Sequence, residues 1–345
     1  MSEDKITEDN KNKKYKAFKI IRILCLIGFI VFTGLFINEV LIQPYRIKKS
    51  VDFTRDIYHK PTKAPIPTQI TPIVTPAPVV VEATPSPDPN RDDQGRLLQF
   101  KELLETNGDV KGWITIPDTN IDYVVVQSSK EEPDYYLDKD INKEYSKAGT
   151  LYLDIRSSIE DQTKNYVIHG HNMVSTSEKM FHKLLDYKEM DFYKERPTFT
   201  FDTIYETGEW KIISVFITTG DASEEDFFDY RASSFESSSD FLNFVYQIRI
   251  RSVLNLDTVD LNENDQIITL STCSYEVDNY RTVVVARKVR KGEASSVNVE
   301  QVSVNENALY PSSYYYRVGG KAPQLAKTFE EALENGEISW YTPTE

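Results

Sequence analysis

Of the chain's two cysteines, Cys273 has neighbours that can support chemistry. It ends the run IITLSTC (Ile267 to Cys273), whose β-branched and aliphatic residues read as a strand. The next such run is Thr282 to Val289, and Arg281 stands at its mouth. If the two runs pair as an antiparallel hairpin, the end of one lies beside the start of the other, and Cys273 and Arg281 become neighbours. A guanidinium fixed there favours thiolate over thiol and can donate to an oxyanion forming on an attacked carbonyl. The spacing alone leaves open a plainer reading, an arginine on a solvated strand end.

A nucleophilic thiol also needs a proton carrier, and there are four histidines. His59 precedes a proline-rich tract and His182 follows Met180, and both read as surface or packing residues. His169 and His171 lie in NYVIHGHNM at the end of a strand-like run, two apart and on one side if the strand continues. Gly170 between them permits a sharp exit. Such a pair could be half of a metal site, but no Cys, His, Asp or Glu group nearby has a ligand spacing, so neither metal nor cofactor is expected. Strand alternation does not choose between the two histidines.

These residues need a scaffold of strands. Runs rich in β-formers recur at Gly112 to Pro117, Tyr123 to Gln127, Thr150 to Leu153, Tyr166 to His169, Thr198 to Phe201, Trp210 to Thr219, Gln266 to Thr272 and Thr282 to Val289. Many short strands separated by loops suggest a barrel or a sandwich. Leu97, Leu98, Phe100, Leu103 and Leu104 form an apolar helical face stopped at Asn107-Gly108. A second helix is expected where Asp240 can N-cap a segment carrying Phe241, Phe244, Val245 and Ile248.

The ends of the chain differ from this middle. Ile23 to Ile37 contains no charge and no proline, and apolar residues resume at Val40 to Ile42, so residues 23–42 read as an uncleaved membrane anchor. Seven of the 40 basic residues but only four of the 54 acidic ones lie in residues 1–22, which places this basic N-terminus in the cytoplasm and the rest outside. A juxtamembrane segment, 43–59, leads to residues 60–90, which hold nine of the 16 prolines and read as a polyproline-type spacer. A globular domain is assigned to residues 91–290, and a fragment beginning near Arg91 is expected to fold by itself. Residues 291–345 read as an extension of unknown role, disordered or loosely docked. The net charge of −14 and the lack of a basic patch argue against nucleic acid as a partner.

Several segments together resemble sortases, and in detail the class B branch: GWITIPDTNIDYVVVQ (Gly112 to Gln127), DYYL (Asp134 to Leu137), YSKAGTLYLDIR (Tyr145 to Arg156), NYVIHGHNM (Asn165 to Met173) and TLSTCSYEVDNYR (Thr269 to Arg281). The resemblance covers roughly residues 95–290, and a helix near 240–252 fits the class B insertion. It implies a mainly β fold, a sortase-like closed barrel of about eight strands with peripheral helices. It further implies Cys273 as nucleophile, His171 as general acid/base and Arg281 as oxyanion-stabilising cation. Leu137, Ser271 and Thr272 are expected to line the substrate groove, and His169 stands where a tyrosine is common.

The implied activity is transpeptidation at the outer face of a Gram-positive cell. Cys273 cleaves the C-terminal sorting signal of surface proteins through a thioester, and an amine from a peptidoglycan precursor or a pilin lysine resolves it. Two other readings remain: a papain-like cysteine peptidase acting on cell wall, and a non-catalytic wall-facing adhesion or scaffold domain. In papain-like enzymes the cysteine usually precedes the histidine and opens a helix, whereas here His171 comes first and Cys273 closes a strand.

Overall fold

The computed structural model describes residues 3–61, 88–173, 178–277 and 279–344. Most of the expected spacer, 62–87, lies outside the described residues. The chain divides into two units, Met1–Lys49 and Ser50–Glu345.

The first unit is helical. It holds helix α1 (Glu3–Ile37), a π-helical turn (Asn38–Ile42) and the first residues of α2 (Gln43–Tyr58), whose later residues belong to the second unit. Leu26, Phe29, Ile30 and Phe32 of α1 are all exposed, and the helix is long and apolar enough to cross a membrane. A helix apolar on every side is normally buried in protein or in lipid.

In the second unit the strands are β1 (Val110–Thr115), β2 (Asp122–Val126), β3 (Leu151–Leu153), β4 (Asn165–His169), β5 (Thr198–Thr203), β6 (Glu209–Thr219), β7 (Leu254–Asn255), β8 (Ile267–Cys273), β9 (Tyr280–Lys288) and β10 (Ser303–Val304). Eight of them close a barrel in the order β1-β2-β3-β4-β8-β9-β6-β5, and β7 pairs with β10 outside it. Each barrel strand coincides with one of the β-rich runs of the sequence, and closure decides for the barrel over the sandwich. Pairing is antiparallel except for β2 with β3 and β4 with β8. The continuous apolar runs are explained by burial on both faces: β8 is buried from Ile267 to Thr272.

Short helices cover the barrel: α3 (Lys101–Thr106), α4 (Met190–Glu195), α5 (Ser238–Arg251), α6 (Ser312–Val318) and α7 (Phe329–Glu334). The α5 helix packs Phe241, Val245 and Ile248 onto Ile213, Phe216, Ile267, Val283 and Val285, thereby sheathing the strands that carry the thiol and the arginine. Its N-cap is Ser237, three residues before the expected Asp240. The Ser237 hydroxyl accepts from the Asp240 N–H and donates to the Asp240 carboxylate, so the acidic residue completes a reciprocal cap from inside the first turn.

Residues after Lys291 are not the loose extension that their composition suggests. Phe329, Ala332 and Trp340 are buried in the same cluster as α5, and Leu261 bridges to Tyr341. Where β9 leaves the barrel, the fully buried Arg287 holds Glu293 at 2.7 Å, and Lys211 reaches the same carboxylate at 2.6 Å. The Arg287 hydrogen bond is the main reason that the Glu293 carboxyl is held far below the usual range.

The packed unit also begins earlier than Arg91. Tyr58 stacks on Trp113 with ring centroids 4.3 Å apart, and its hydroxyl donates to Asp202 at 2.6 Å. Arg55 donates to the carbonyls of Asp122 and Asn120, and His59 lies 3.0 Å from the Asp122 carboxylate. A fragment starting at Arg91 loses this whole patch and leaves one face of the Trp113 ring uncovered. Tyr58→Ala is expected to destabilise the second unit by about 1–3 kcal/mol, read by calorimetry as a Tm lower by roughly 3–10 °C. An unchanged Tm would return the domain boundary to Arg91.

Candidate active site

The antiparallel register of β8 with β9 puts Cys273 directly opposite Arg281, as the hairpin argument requires. The parallel register of β4 with β8 pairs His169 with Ser271, so the strand leading to His171 ends beside the strand that ends on Cys273. The chain leaves β4 at Gly170. A Cβ there would lie 2.3 Å from Leu151 Cδ2 and 2.8 Å from the Phe181 ring, so no other residue lets the backbone depart at this point without moving both neighbours. His171 consequently stands off the strand, and the same-side reading of the two histidines does not apply.

Leu137, His171, Ser271, Thr272, Cys273 and Arg281 all line one cleft of about 580 Å3. The His171 Nε2–H donates to the Leu137 carbonyl at 2.8 Å, which leaves Nδ1 as the ring's acceptor. Leu137 itself is 42% exposed at the rim, consistent with an apolar groove contact. The two hydroxyls before the cysteine are already engaged: Ser271 Oγ is 2.9 Å from Tyr230 OH, and Thr272 Oγ1 donates to the Gly170 carbonyl at 2.8 Å. Thr272 thus ties the cysteine strand to the histidine's departure point.

Arg281 turns one terminal nitrogen, Nη1, back onto the carbonyls of Asn279 and Tyr280, each at 3.0 Å. Its guanidinium lies over Gly220, where a Cβ would approach Cζ to 3.0 Å. The guanidinium is thus anchored through one nitrogen while the side chain lines the same cleft as Cys273.

Three polar groups that the sequence did not single out hold this arrangement. Asn172 donates from Nδ2 to the Cys273 carbonyl at 2.9 Å, while its Oδ1 accepts from His182 Nδ1 at 2.7 Å. The residue after His171 is therefore pinned to the cysteine's own backbone, and His182 orients the amide. The third is Asp154, whose carboxylate lies 3.1 Å from His169 Nε2 and also accepts from Arg156. Burial works to raise the Asp154 carboxyl, but the hydrogen bonds from His169 and Arg156 outweigh it and hold the group well below the ordinary carboxylate range. His169 thus has a fixed anionic partner, whereas His171 has a neutral carbonyl. The adjacency of Asn172 to a histidine was a readable signal for the first of these groups; nothing local marks His182 or Asp154, which act across long stretches of chain.

Among the described residues no group of three or more His, Cys, Asp or Glu side chains is placed to hold a metal ion. The groups that converge on the cleft suit attack on a carbonyl: a thiol, an imidazole and an anchored cation.

Comparison with known proteins agrees with this architecture. Residues 114–289 match the family model described as the sortase domain. The sortase B of Listeria monocytogenes is 35% identical over 195 residues, which is 56% of this chain and 75% of the relative. The structure of sortase B from B. anthracis in complex with AAEK1 superposes with a TM-score of 0.56 at 26% identity, covering 73% of this chain and 100% of that one. A Staphylococcus aureus sortase B–substrate complex gives a TM-score of 0.50 at 30% identity over 56% of this chain and 85% of that one.

Proposed function

Since this chain belongs to the sortase family and is similar to its class B members, we propose that it is a membrane-anchored transpeptidase in which Cys273 is the nucleophile, His171 the general acid/base and Arg281 the oxyanion-stabilising cation. The observation that carries this reading is the register pair Cys273–Arg281 opening into the same cleft as His171.

The Cys273 thiolate attacks the scissile carbonyl of a sorting-signal peptide, and Arg281 N–H groups receive the negative charge that collects on its oxygen. His171 in its charged form gives its proton to the departing amine as the C–N bond breaks, leaving a thioester and a neutral imidazole. An incoming primary amine attacks that thioester, loses a proton to His171, and expels the thiolate as the new amide forms. Leu137 and the Ser271–Tyr230 pair line the groove that receives the peptide; Thr272 serves by tying β8 to β4.

The apolar stretch 23–42 anchors the chain with residues 1–22 in the cytoplasm and the barrel outside. Tyr58 and Arg91, on either side of the proline-rich tract, are both tied to the barrel, so that tract does not set the distance between barrel and membrane. The substrates are surface proteins with a C-terminal sorting signal, and the acceptor is a peptidoglycan-precursor amine or a pilin lysine.

The test uses the full chain in detergent with a library of peptides copied from the C-termini of exported proteins. The Cys273 peptide is expected to gain an acyl mass, and added primary amine is expected to move product from free acid to amide. Without an adduct the cysteine is not the nucleophile. Product that stays acid at saturating amine would make the protein a peptidase.

A further inference from the structure

The segment after β10 reaches the two loops that border the cleft behind Arg281, without lining the cleft itself. Tyr310 and Tyr314 pack on Ile217, Val277 and Tyr280, which belong to the end of β6, the turn after the cysteine strand and the start of the arginine strand. Ser313 Oγ donates to the Glu224 carboxylate at 2.6 Å. A serine hydroxyl has one proton, so the contact of 2.5 Å between Tyr280 OH and Ser313 Oγ has the tyrosine as donor. Glu224 also accepts from Thr219 Oγ1 at 2.7 Å, and Asp226 accepts from the Ser312 N–H at 2.6 Å.

Tyr280 and Thr219 each adjoin a group that fixes the guanidinium. Tyr280 precedes Arg281 and supplies one of the carbonyls that hold Nη1. Thr219 precedes Gly220, on which the guanidinium rests, and the Gly220 N–H donates to the Asn279 carbonyl at 2.8 Å. The Ser274 N–H, next to the cysteine, donates to the Tyr280 carbonyl at 2.8 Å. Ser313 is thus the node at which the end of β6 and the start of β9 are joined from outside.

We infer that residues 310–314 are a positioning clamp: by joining Tyr280 to Glu224 through Ser313, and packing Tyr310 and Tyr314 on Val277 and Tyr280, they hold Arg281 and the backbone after Cys273 in their working geometry. The clamp lies beyond the residues that match the family model, which end at 289. A hydrogen-bonded network of this kind acts through rigidity, and a small displacement of a charged donor at a reacting carbonyl costs more in rate than in folding. The segment therefore belongs to the reaction without touching substrate.

The kinetic part of this inference rests on the transpeptidase reading; its mechanical part does not. Full-length Ser313→Ala and, separately, Tyr314→Ala are compared with wild type by amide hydrogen exchange and by peptide turnover. Exchange at Ser274 and Tyr280 is expected to quicken about tenfold, the scale of one lost hydrogen bond. The kcat is expected to fall about tenfold while KM stays within about twofold, since the groove is unchanged. Ser313→Thr, which keeps the hydroxyl, is expected to restore both. Unchanged exchange overturns the clamp, and so does faster exchange with unchanged kcat. A wild-type chain that turns over no peptide would instead remove the transpeptidase reading, and the exchange data would still decide whether the clamp exists.

Discussion

Replacing His171 with alanine is expected to lower kcat by about 10²–10⁴, the usual range for losing a general acid/base, while replacing His169 is expected to leave activity within about tenfold of wild type. The difference follows from their partners. His171 stands off the strand with Nε2–H on a backbone carbonyl and, among the described residues, no hydrogen-bond partner on its second nitrogen, so it can receive and return a proton. His169 is bound to a carboxylate that burial and Arg156 already hold in place, and its loss removes a hydrogen bond at the side of the groove. Leaving-group chemistry supplies a check that a folding defect cannot imitate. An ester substrate, whose alcohol departs with less need of a proton, is expected to recover much of the acylation rate in His171→Ala and to change little in His169→Ala. Equal losses in the two variants, with no recovery on the ester, would undo the assignment.

Arg281→Ala is expected to lower kcat/KM by about 10²–10³, the scale for removing one oxyanion donor. Arg281→Lys should recover only part of this. The guanidinium is anchored by two carbonyls on one nitrogen and packs closely on Gly220, which restricts its motion. A lysine ammonium keeps the charge but has a flexible stem and no fork. The side chain lies at the cleft, not in the core, so Tm should be nearly unchanged in both variants. Near-normal turnover by the alanine variant would mean that backbone amides alone carry the oxyanion.

The barrel was legible because its strands are short, β-branched and buried on both faces, which leaves unbroken apolar runs between polar loops. The hairpin that joins Cys273 to Arg281 was legible because it is local. The tail was not, since Phe329 and Ala332 mark only one short helical turn, Trp340 lies beyond it, and the three become a core only against α5. Tyr58 was missed for a related reason: it precedes the proline-rich tract, and its partner Trp113 lies beyond it. The groups that support the site, Asn172 with His182 and Asp154 with His169, are side-chain contacts across folded loops, and no local periodicity encodes them. The Asp240 cap was a near miss, because serine and aspartate share that role and the reciprocal pair uses both.

The parallel seam between β4 and β8 has a consequence for the order in which the molecule is built. It joins Asn165 to Ile267 and His169 to Ser271 across a long intervening stretch that includes β5, β6 and α5. Contacts so far apart in sequence form late, because the entropy of closing a long loop must be met before they contribute anything. The histidine's departure point and the cysteine's strand meet only when the last barrel strands dock. A chain still being synthesised therefore carries an isolated thiol, and the meeting of Cys273 and His171 in one cleft arrives with the final closure of the barrel.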